Sequence, residues 1–386
     1  MYNEITAAVA GTGFIGPVHV EALKRLGVRV KGIMGSTPKK SEVAKRKLGL
    51  EVGYQDINDL LADKDIDAVH LAVPNMLHYP MAVKTLEAGK HVMCEKPLAM
   101  NTTESSVLVK LARESGLQAA VTYNIRFYPM NLETRARIES GELGRIFSVV
   151  GSYVQDWLFY ETDYNWRVRA DKGGPLRAVA DIGTHWIDLV SSMTGLKISH
   201  VFADLNTVHP ERKKPLGEVQ TFSGEQPIPK SFEPVSIDTE DTGCITIRFE
   251  EGGQGVLWVS QVTAGVKNRI RYEIAGSKQS ISWDSNQPNE LLLGHRDKAN
   301  EALVKDPALS SDFTRSYINY PGGHHEGFPD TFKQCFRSFY DAILGEERTG
   351  GFIYPTFEEG HREVSICEAI LSSHTHKKWV EIDDFL

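Results

Sequence analysis

An apolar run breaks into glycines close to the start of the chain: Ala7-Ala8-Val9-Ala10-Gly11-Thr12-Gly13-Phe14-Ile15-Gly16. A strand that ends in G-x-G-x-x-G admits few continuations. Gly11 allows backbone angles that a side chain forbids, Gly13 leaves no Cβ between the backbone and an approaching phosphate, and Gly16 lets the next helix lie close on the strand. Val18, Ala22, Leu23 and Leu26 follow at helical spacing, Gly27 supplies a stop, and Val28–Met34 reads as a second strand. The pattern predicts a strand, a tight turn and a helix whose N-terminal N–H groups face a dinucleotide pyrophosphate. Gly11, Gly13, Phe14, Ile15 and Gly16 are therefore expected to bind the cofactor.

The chain has 386 residues, which exceeds one ordinary core and predicts two domains, 1–125 and 126–386. With 41% hydrophobic and 24% charged residues, the composition is that of a soluble globular protein. No apolar run approaches the roughly 20 residues that span a bilayer. The formal charge of −8, without a basic block, argues against nucleic acid and anionic membranes as partners. Cys94, Cys244, Cys335 and Cys367 lie far apart without a C-x-x-C pairing, so neither a metal site nor a disulfide framework is expected. The first strand begins at once, with no signal segment ahead of it, and free thiols then point to a cytoplasmic protein.

Up to about residue 122 strand and helix patterns alternate, which predicts a doubly wound parallel sheet. The expected strands are Ile5–Ala10, Val28–Met34, Ala68–Val73, His91–Cys94 and Gln118–Thr122. A helix near Thr103 starts with a cap and continues through Val107, Leu108, Leu111 and Ala112. Beyond about Arg126 the pattern turns β-rich, with hairpin-like turns such as Glu251-Gly252-Gly253. This predicts a second α/β domain with an open, mostly antiparallel sheet. The polar stretch 207–240 is expected to be a long surface loop. The terminal helices are expected to pack back on the first domain, so that the second domain walls a cleft beyond the parallel strand ends.

Four segments carry candidate chemistry. After the second strand, where a carboxylate would bind the ribose hydroxyls of NAD, the chain reads Met34-Gly35-Ser36-Thr37-Pro38-Lys39-Lys40. The hydroxyls of Ser36 and Thr37 with Lys40 suit a 2′-phosphate and lean toward NADP; a capped turn and a solvated helix start explain them equally well. Pro74, Asn75 and His78 follow one strand, and Glu95-Lys96-Pro97 follows another, at the sheet edge where ligands bind. A lysine there can stabilise a developing alkoxide, or be half of a surface ion pair before a turn. In Asp181-Ile182-Gly183-Thr184-His185-Trp186-Ile187-Asp188, Asp181 and His185 share a helical face. This is either a base with its orienting carboxylate, or a cap and a hydrogen-bonded helix histidine. Finally, 155–167 mixes aromatic and polar groups: Trp157, Asn165, Trp166 and Arg167 suit the two faces of a sugar ring, or a loop that packs a minor core of its own.

Taken in order, Gly11-x-Gly13-x-x-Gly16, Glu95-Lys96-Pro97 and Asp181-x-Gly183-x-His185-x-x-Asp188 make the chain resemble the glucose–fructose oxidoreductase/inositol dehydrogenase family, Gfo/Idh/MocA. Tyr123–Pro129, Gly141–Arg145 and Pro321–Phe328 are similar to further segments of that family. The resemblance implies a Rossmann domain, NAD(P), and oxidation or reduction of a sugar, polyol or related carbonyl compound. It implies Lys96, His185 and Asp181 as catalytic residues; Lys96, Arg126 and His324 are also expected beside the substrate. It further implies a cis Lys96–Pro97 bond and a homodimer or homotetramer built through the open sheet. Two other functions are weighed: an NAD-dependent glycoside hydrolase working by transient oxidation with the same lysine and histidine, and a cofactor-sensing binding protein, which would keep the glycines but lose Lys96 and His185, both present here.

Overall fold

The structure, a computed structural model, describes residues 2–216, 231–347 and 349–385. The chain divides into two compact units. The first takes residues up to Asn124 together with Pro329–Val364, and the second takes Ile125–Phe328 and the residues from Ser365 on, so far as these are described.

In the first unit the predicted alternation forms β1 (Thr6–Ala10), β2 (Arg29–Met34), β4 (Ala68–Leu71), β5 (His91–Cys94) and β6 (Ala119–Val121), and the structure adds a short strand that was not expected, β3 (Val52–Tyr54). Among the described residues these make one sheet in the order β3-β2-β1-β4-β5-β6, parallel throughout. The helices between them are α1 (Ile15–Leu26), α2 (Pro38–Leu48), α3 (Ile57–Ala62), α4 (His78–Glu87) and α5 (Thr102–Ser115). Every residue of β1 and β4 is buried, as expected of strands covered on both faces. The strand order reverses between β1 and β4, and such a switch point is where doubly wound sheets bind ligands. The cap of α5 is Asn101: its side chain accepts from the N–H of Glu104 at 2.9 Å, and the Glu104 carboxylate accepts from the N–H of Met100 at 3.1 Å. The helix therefore starts a residue earlier than the sequence pattern suggests.

The second unit opens with α6 (Pro129–Glu139) and β7 (Ile146–Gln155). A single turn, α7 (Ala170–Gly173), precedes the π-helical turn Val179–Gly183, which runs directly into α8 (Thr184–Thr194). The remaining strands are β8 (Ile198–Asn206), β9 (Glu211–Pro215), β10 (Phe232–Ser236), β11 (Thr242–Phe249), β12 (Gln254–Ser260), β13 (Asn268–Gly276), β14 (Ser280–Asp284), β15 (Glu290–Gly294), β16 (Glu301–Val304) and β17 (Val380–Glu381). Among the described residues, β7 and eight of these form one sheet in the order β16-β15-β14-β13-β7-β12-β11-β8-β17. Every pairing is antiparallel except β7 with β12.

The stretch 207–240 departs from the expected loop. β9 and β10 pair antiparallel as a separate two-stranded sheet, and residues 217–230 lie outside the described residues. β9 carries four successive charged residues, Glu211 to Lys214, and β10 adds Glu233; a two-stranded ribbon tolerates that because one face stays in water.

One contact sets the position of α8 on the sheet. Trp186 is fully buried, and its indole N–H donates to the Arg271 carbonyl of β13 at 3.0 Å. A Cβ on Gly151 of β7 would stand 2.2 Å from that indole nitrogen, so the ring occupies a notch only glycine can provide. The opposite face of the sheet exposes Phe147, Val150, Val256, Trp258, Leu292 and Val304. Among the described residues no helix is long and apolar enough to cross a membrane.

Candidate active site

In the first unit the glycines divide into two roles. A Cβ on Gly11, whose φ is +126°, would fall 2.0 Å from the Ala72 carbonyl oxygen. One on Gly16 would fall 2.0 Å from the carbonyl oxygen of Gly11. Both glycines are demanded by the fold itself. At Gly13 a Cβ would meet nothing within 4 Å, so the backbone there borders open space at the start of α1. No acidic side chain stands in the first turn of α1, and Phe14 and Gly13 are exposed beside it. This cradle fits the pyrophosphate of a dinucleotide, which would meet backbone N–H groups and the positive end of the helix dipole.

The ribose-side residues behave as local structure. Thr37 caps α2, its hydroxyl accepting from the N–H of Lys40 at 3.3 Å. Ser36 and Lys40 are exposed beside it. His78 is buried, with Nδ1 2.7 Å from the Pro97 carbonyl and Nε2 2.9 Å from the Val73 carbonyl. It ties the turn after β4, which holds Pro74 and Asn75, to the turn after β5. Burial pulls this imidazole below its ordinary range. The Lys96–Pro97 bond is cis, and Lys96 is half-buried.

Glu95 belongs to a buried chain that the motif gives no hint of. His19 Nε2 lies 3.1 Å from its carboxylate, and His19 Nδ1 lies 3.0 Å from His70 Nδ1. His70 Nε2 lies 3.0 Å from the Tyr340 hydroxyl. Burial, and to a lesser extent the proximity of His19, holds His70 well below the usual histidine range. Two signals could have found this chain: a histidine inside the otherwise apolar β4, and another one turn past Gly16.

In the second unit the structure brings together six of the predicted residues. Asp181 leaves the π-helical turn, and His185 lies one turn on at the start of α8, 8% exposed. The guanidinium of Arg167 is 3.5 Å from Asp181 and lies over the rings of Trp166, at 4.5 Å, and Trp157, at 5.8 Å. Asn165 caps this segment, its side chain accepting from the N–H of Arg167 at 2.8 Å. Tyr153 of β7 stacks obliquely on His185 with centroids 6.1 Å apart. Burial, then Tyr128, then the charge of Asp181 push the phenol well above its ordinary range. The same segment also builds a small core of Leu158, Val168 and Ile237, with Trp157, Tyr164 and Val235 packed against it.

Arg126 and His324 stand apart from this group. Arg126 is buried and makes a two-pronged pair with Asp188, at 2.8 and 2.5 Å. His324 is exposed; its ring faces the Gly322 carbonyl, and its own carbonyl accepts from Lys305 Nζ at 2.7 Å. Lys305 and Glu326, 3.0 Å apart and both buried, brace that loop. Among the described residues no group of three or more His, Cys, Asp or Glu side chains is arranged to hold a metal.

Beneath Asp181 lies a second network that sequence reasoning missed. Gln261 donates to Asp181, and Arg177, Arg212, Glu240 and Asp241 stand behind it. Burial raises the Glu240 carboxyl despite the N–H groups and Arg177 that face it. Burial also penalises ionised Asp241, but Arg177 and Arg212 outweigh it and hold the group below the ordinary carboxylate range. The available signal was Glu240-Asp241, two adjacent acids at the mouth of an apolar strand.

Comparison with known proteins matches both halves of the chain to one family. Residues 5–123 match the family model described as "Oxidoreductase family, NAD-binding Rossmann fold", and residues 131–282 match the "GFO/IDH/MocA C-terminal domain". Levoglucosan dehydrogenase of Pseudarthrobacter phenanthrenivorans is 29% identical, with 98% of each chain covered. A myo-inositol 2-dehydrogenase of Thermotoga maritima is 26% identical over 74% of this chain and 77% of its own. The structure of a levoglucosan dehydrogenase in complex with NADH and L-sorbose superposes with a TM-score of 0.87 at 28% identity, covering 98% of each chain. The family description and that complex name NAD, and neither supports the lean to NADP drawn from Ser36, Thr37 and Lys40.

Proposed function

This chain belongs to the Gfo/Idh/MocA family of NAD-binding oxidoreductases, and we propose that it oxidises a secondary hydroxyl of a sugar, anhydrosugar or cyclic polyol with NAD as hydride acceptor. The observation that carries the reading is the Asp181–Arg167 group. It sets a carboxylate one turn from a shielded histidine, beside two tryptophan rings that match the C–H face of a sugar. NAD, when bound, supplies the hydride acceptor. The residues that would hold it are Gly13, Phe14 and Ile15 at the pyrophosphate, with Gly11 and Gly16 shaping the turn. Pro74, Asn75 and the Glu95 turn line the neighbouring strand ends.

In this reading His185 takes the hydroxyl proton at an imidazole nitrogen, and Asp181 favours the imidazolium that results. Lys96 is the cation that would stabilise the charge developing on the substrate oxygen. Trp157, Trp166 and Arg167 orient the ring. The exposed apolar face of the nine-stranded sheet is the surface on which a second copy docks, making a homo-oligomer.

The test is NAD+ and NADP+ reduction followed at the nicotinamide absorbance with levoglucosan, myo-inositol and L-sorbose as substrates. Turnover with NAD+ on at least one, and at least tenfold lower kcat/KM with NADP+, is the expected result. Tight NADH binding with no turnover on any of the three would sink the reading.

A further inference from the structure

The turn that carries Asp181 is built on buried charge. The Glu240 carboxylate accepts from the backbone N–H of Arg177 at 2.9 Å and of Val179 at 2.8 Å, capping the turn at its start. The Arg177 side chain, 2% exposed, donates to the Thr239 hydroxyl at 3.1 Å and to Asp241. Through Nη1 it donates to Gln261 Oε1 at 3.1 Å. Arg212, also fully buried, donates to the same Asp241 carboxylate at 2.7 Å. Gln261, fully buried at the end of β12, donates from Nε2 to Asp181 Oδ2 at 2.8 Å.

These contacts leave the amide one orientation. A guanidinium can only donate, so the glutamine oxygen must face Arg177. The glutamine nitrogen is then left for Asp181, and it can only donate. The reversed amide would set an N–H₂ against a cation and an oxygen against a carboxylate, two repulsions in a buried site. Gln261 thus passes the positive character of Arg177 on to Asp181 without bringing a net charge next to it.

We propose that Gln261 is a positioning residue: with its amide locked by Arg177, it fixes the rotamer of Asp181 and keeps that carboxylate an acceptor during proton transfer by His185. The inference rests on the reading of Asp181 and His185 given under Proposed function. The charged and titratable groups around the pair include Arg167 from the aromatic segment, Tyr153 from β7 with Tyr128 beside it, His185 from α8, Arg177 at the turn, Arg212 from β9, and Glu240 and Asp241 ahead of β11.

The experiment uses the full chain and four variants: Gln261→Glu, Gln261→Met, Asp181→Asn, and the double variant Asp181→Asn/Gln261→Glu. Melting temperature is measured from pH 5 to 8. In Gln261→Glu two carboxylates face each other, so its deficit against the parent grows as pH rises and both ionise. In the double variant the amide introduced at position 181 donates to the carboxylate introduced at position 261, and the melting temperature returns toward the parent. A Gln261→Glu protein that melts like the parent at every pH, or a double variant that rescues nothing, overturns the contact and the proposal.

The kinetic arm uses NAD+ with the substrate of the levoglucosan, myo-inositol and L-sorbose panel that is oxidised fastest. Gln261→Met lowers kcat at least tenfold with the KM for NAD+ within twofold of the parent. Gln261→Glu moves the acid limb of the kcat profile upward by at least one pH unit, because Arg177 keeps the introduced carboxylate ionised and the proton settles on Asp181. Parent-like profiles in both Gln261 variants beside an impaired Asp181→Asn refute the role of Gln261 alone. A fully active Asp181→Asn refutes the reading beneath it.

Discussion

His19, on the first helix of the nucleotide-binding unit, places Nε2 3.1 Å from the carboxylate of Glu95, at the end of a strand two places away in the sheet. A carboxylate only accepts, so His19 carries its proton on Nε2. With both rings neutral, one assignment satisfies every contact: His70 donates from Nδ1 to His19, and Tyr340 donates its hydroxyl hydrogen to His70 Nε2. The turn that presents Lys96 is thereby tied through side chains to α1, β4 and the helix Phe328–Leu344.

Removing the last donor of that chain leaves a buried acceptor bare. Tyr340→Phe is expected to cost about 1–3 kcal/mol in a denaturant titration of the folded protein. A midpoint equal to the parent's would show that the hydroxyl makes no such bond.

The buried histidines also set a pH dependence. Both His70 and His78 are depressed in the folded state, chiefly by burial. The unfolded chain therefore binds more protons below about pH 6.5, and stability falls as pH drops. Each contributes up to about 1.4 kcal/mol per pH unit in that window. Unfolding free energies measured at pH 7, 6 and 5 should decline, and His70→Gln should flatten the decline; a flat parent profile would contradict it.

The three motif glycines should separate cleanly. Alanine at Gly11 or Gly16 collides with a carbonyl oxygen and should lower the melting temperature. Alanine at Gly13 meets no protein atom, so it should leave the melting temperature unchanged while weakening NADH binding at least tenfold by fluorescence titration. Equal affinity for parent and Gly13→Ala would place the pyrophosphate elsewhere.

Lys96→Ala and His185→Ala are each expected to lower kcat by about 10²–10⁴-fold, with NADH affinity within a few fold of the parent. Parent-level turnover in both would remove them from the chemistry.

Arg126→Met removes the two-pronged partner of buried Asp188, and breaking a buried pair from one side typically costs about 3–5 kcal/mol. A loss of substrate affinity with unchanged stability would instead assign Arg126 to the substrate. For the open sheet, Val256→Lys with Trp258→Glu should yield monomers by light scattering if copies dock there.

Much of the nucleotide-binding unit was legible because its constraints are local. The glycines, the strand ends and the helix stop at Gly27 sit within one βαβ unit, where period and turn chemistry suffice. The aromatic segment was legible as composition but ambiguous as structure: Trp157 both lies beside Arg167 and packs on the small core under it. What sequence reasoning missed is held by partners distant in the chain. Nothing near Gln261 announces Asp181, and nothing near His19 announces Tyr340. The 207–240 stretch misled because a ribbon such as β9–β10, with one face in water, carries the polar composition of a loop.

The parallel register of β7 against β12 has a consequence for synthesis. β7 sits between β13 and β12, and both leave the ribosome only after the intervening chain has been made. At ordinary elongation rates the nascent strand waits on the order of ten seconds with both hydrogen-bonding edges unclaimed. Misassembly of a weakened variant should therefore begin at Ile146–Gln155, and a chaperone that shields short apolar segments would have its greatest effect on yield there.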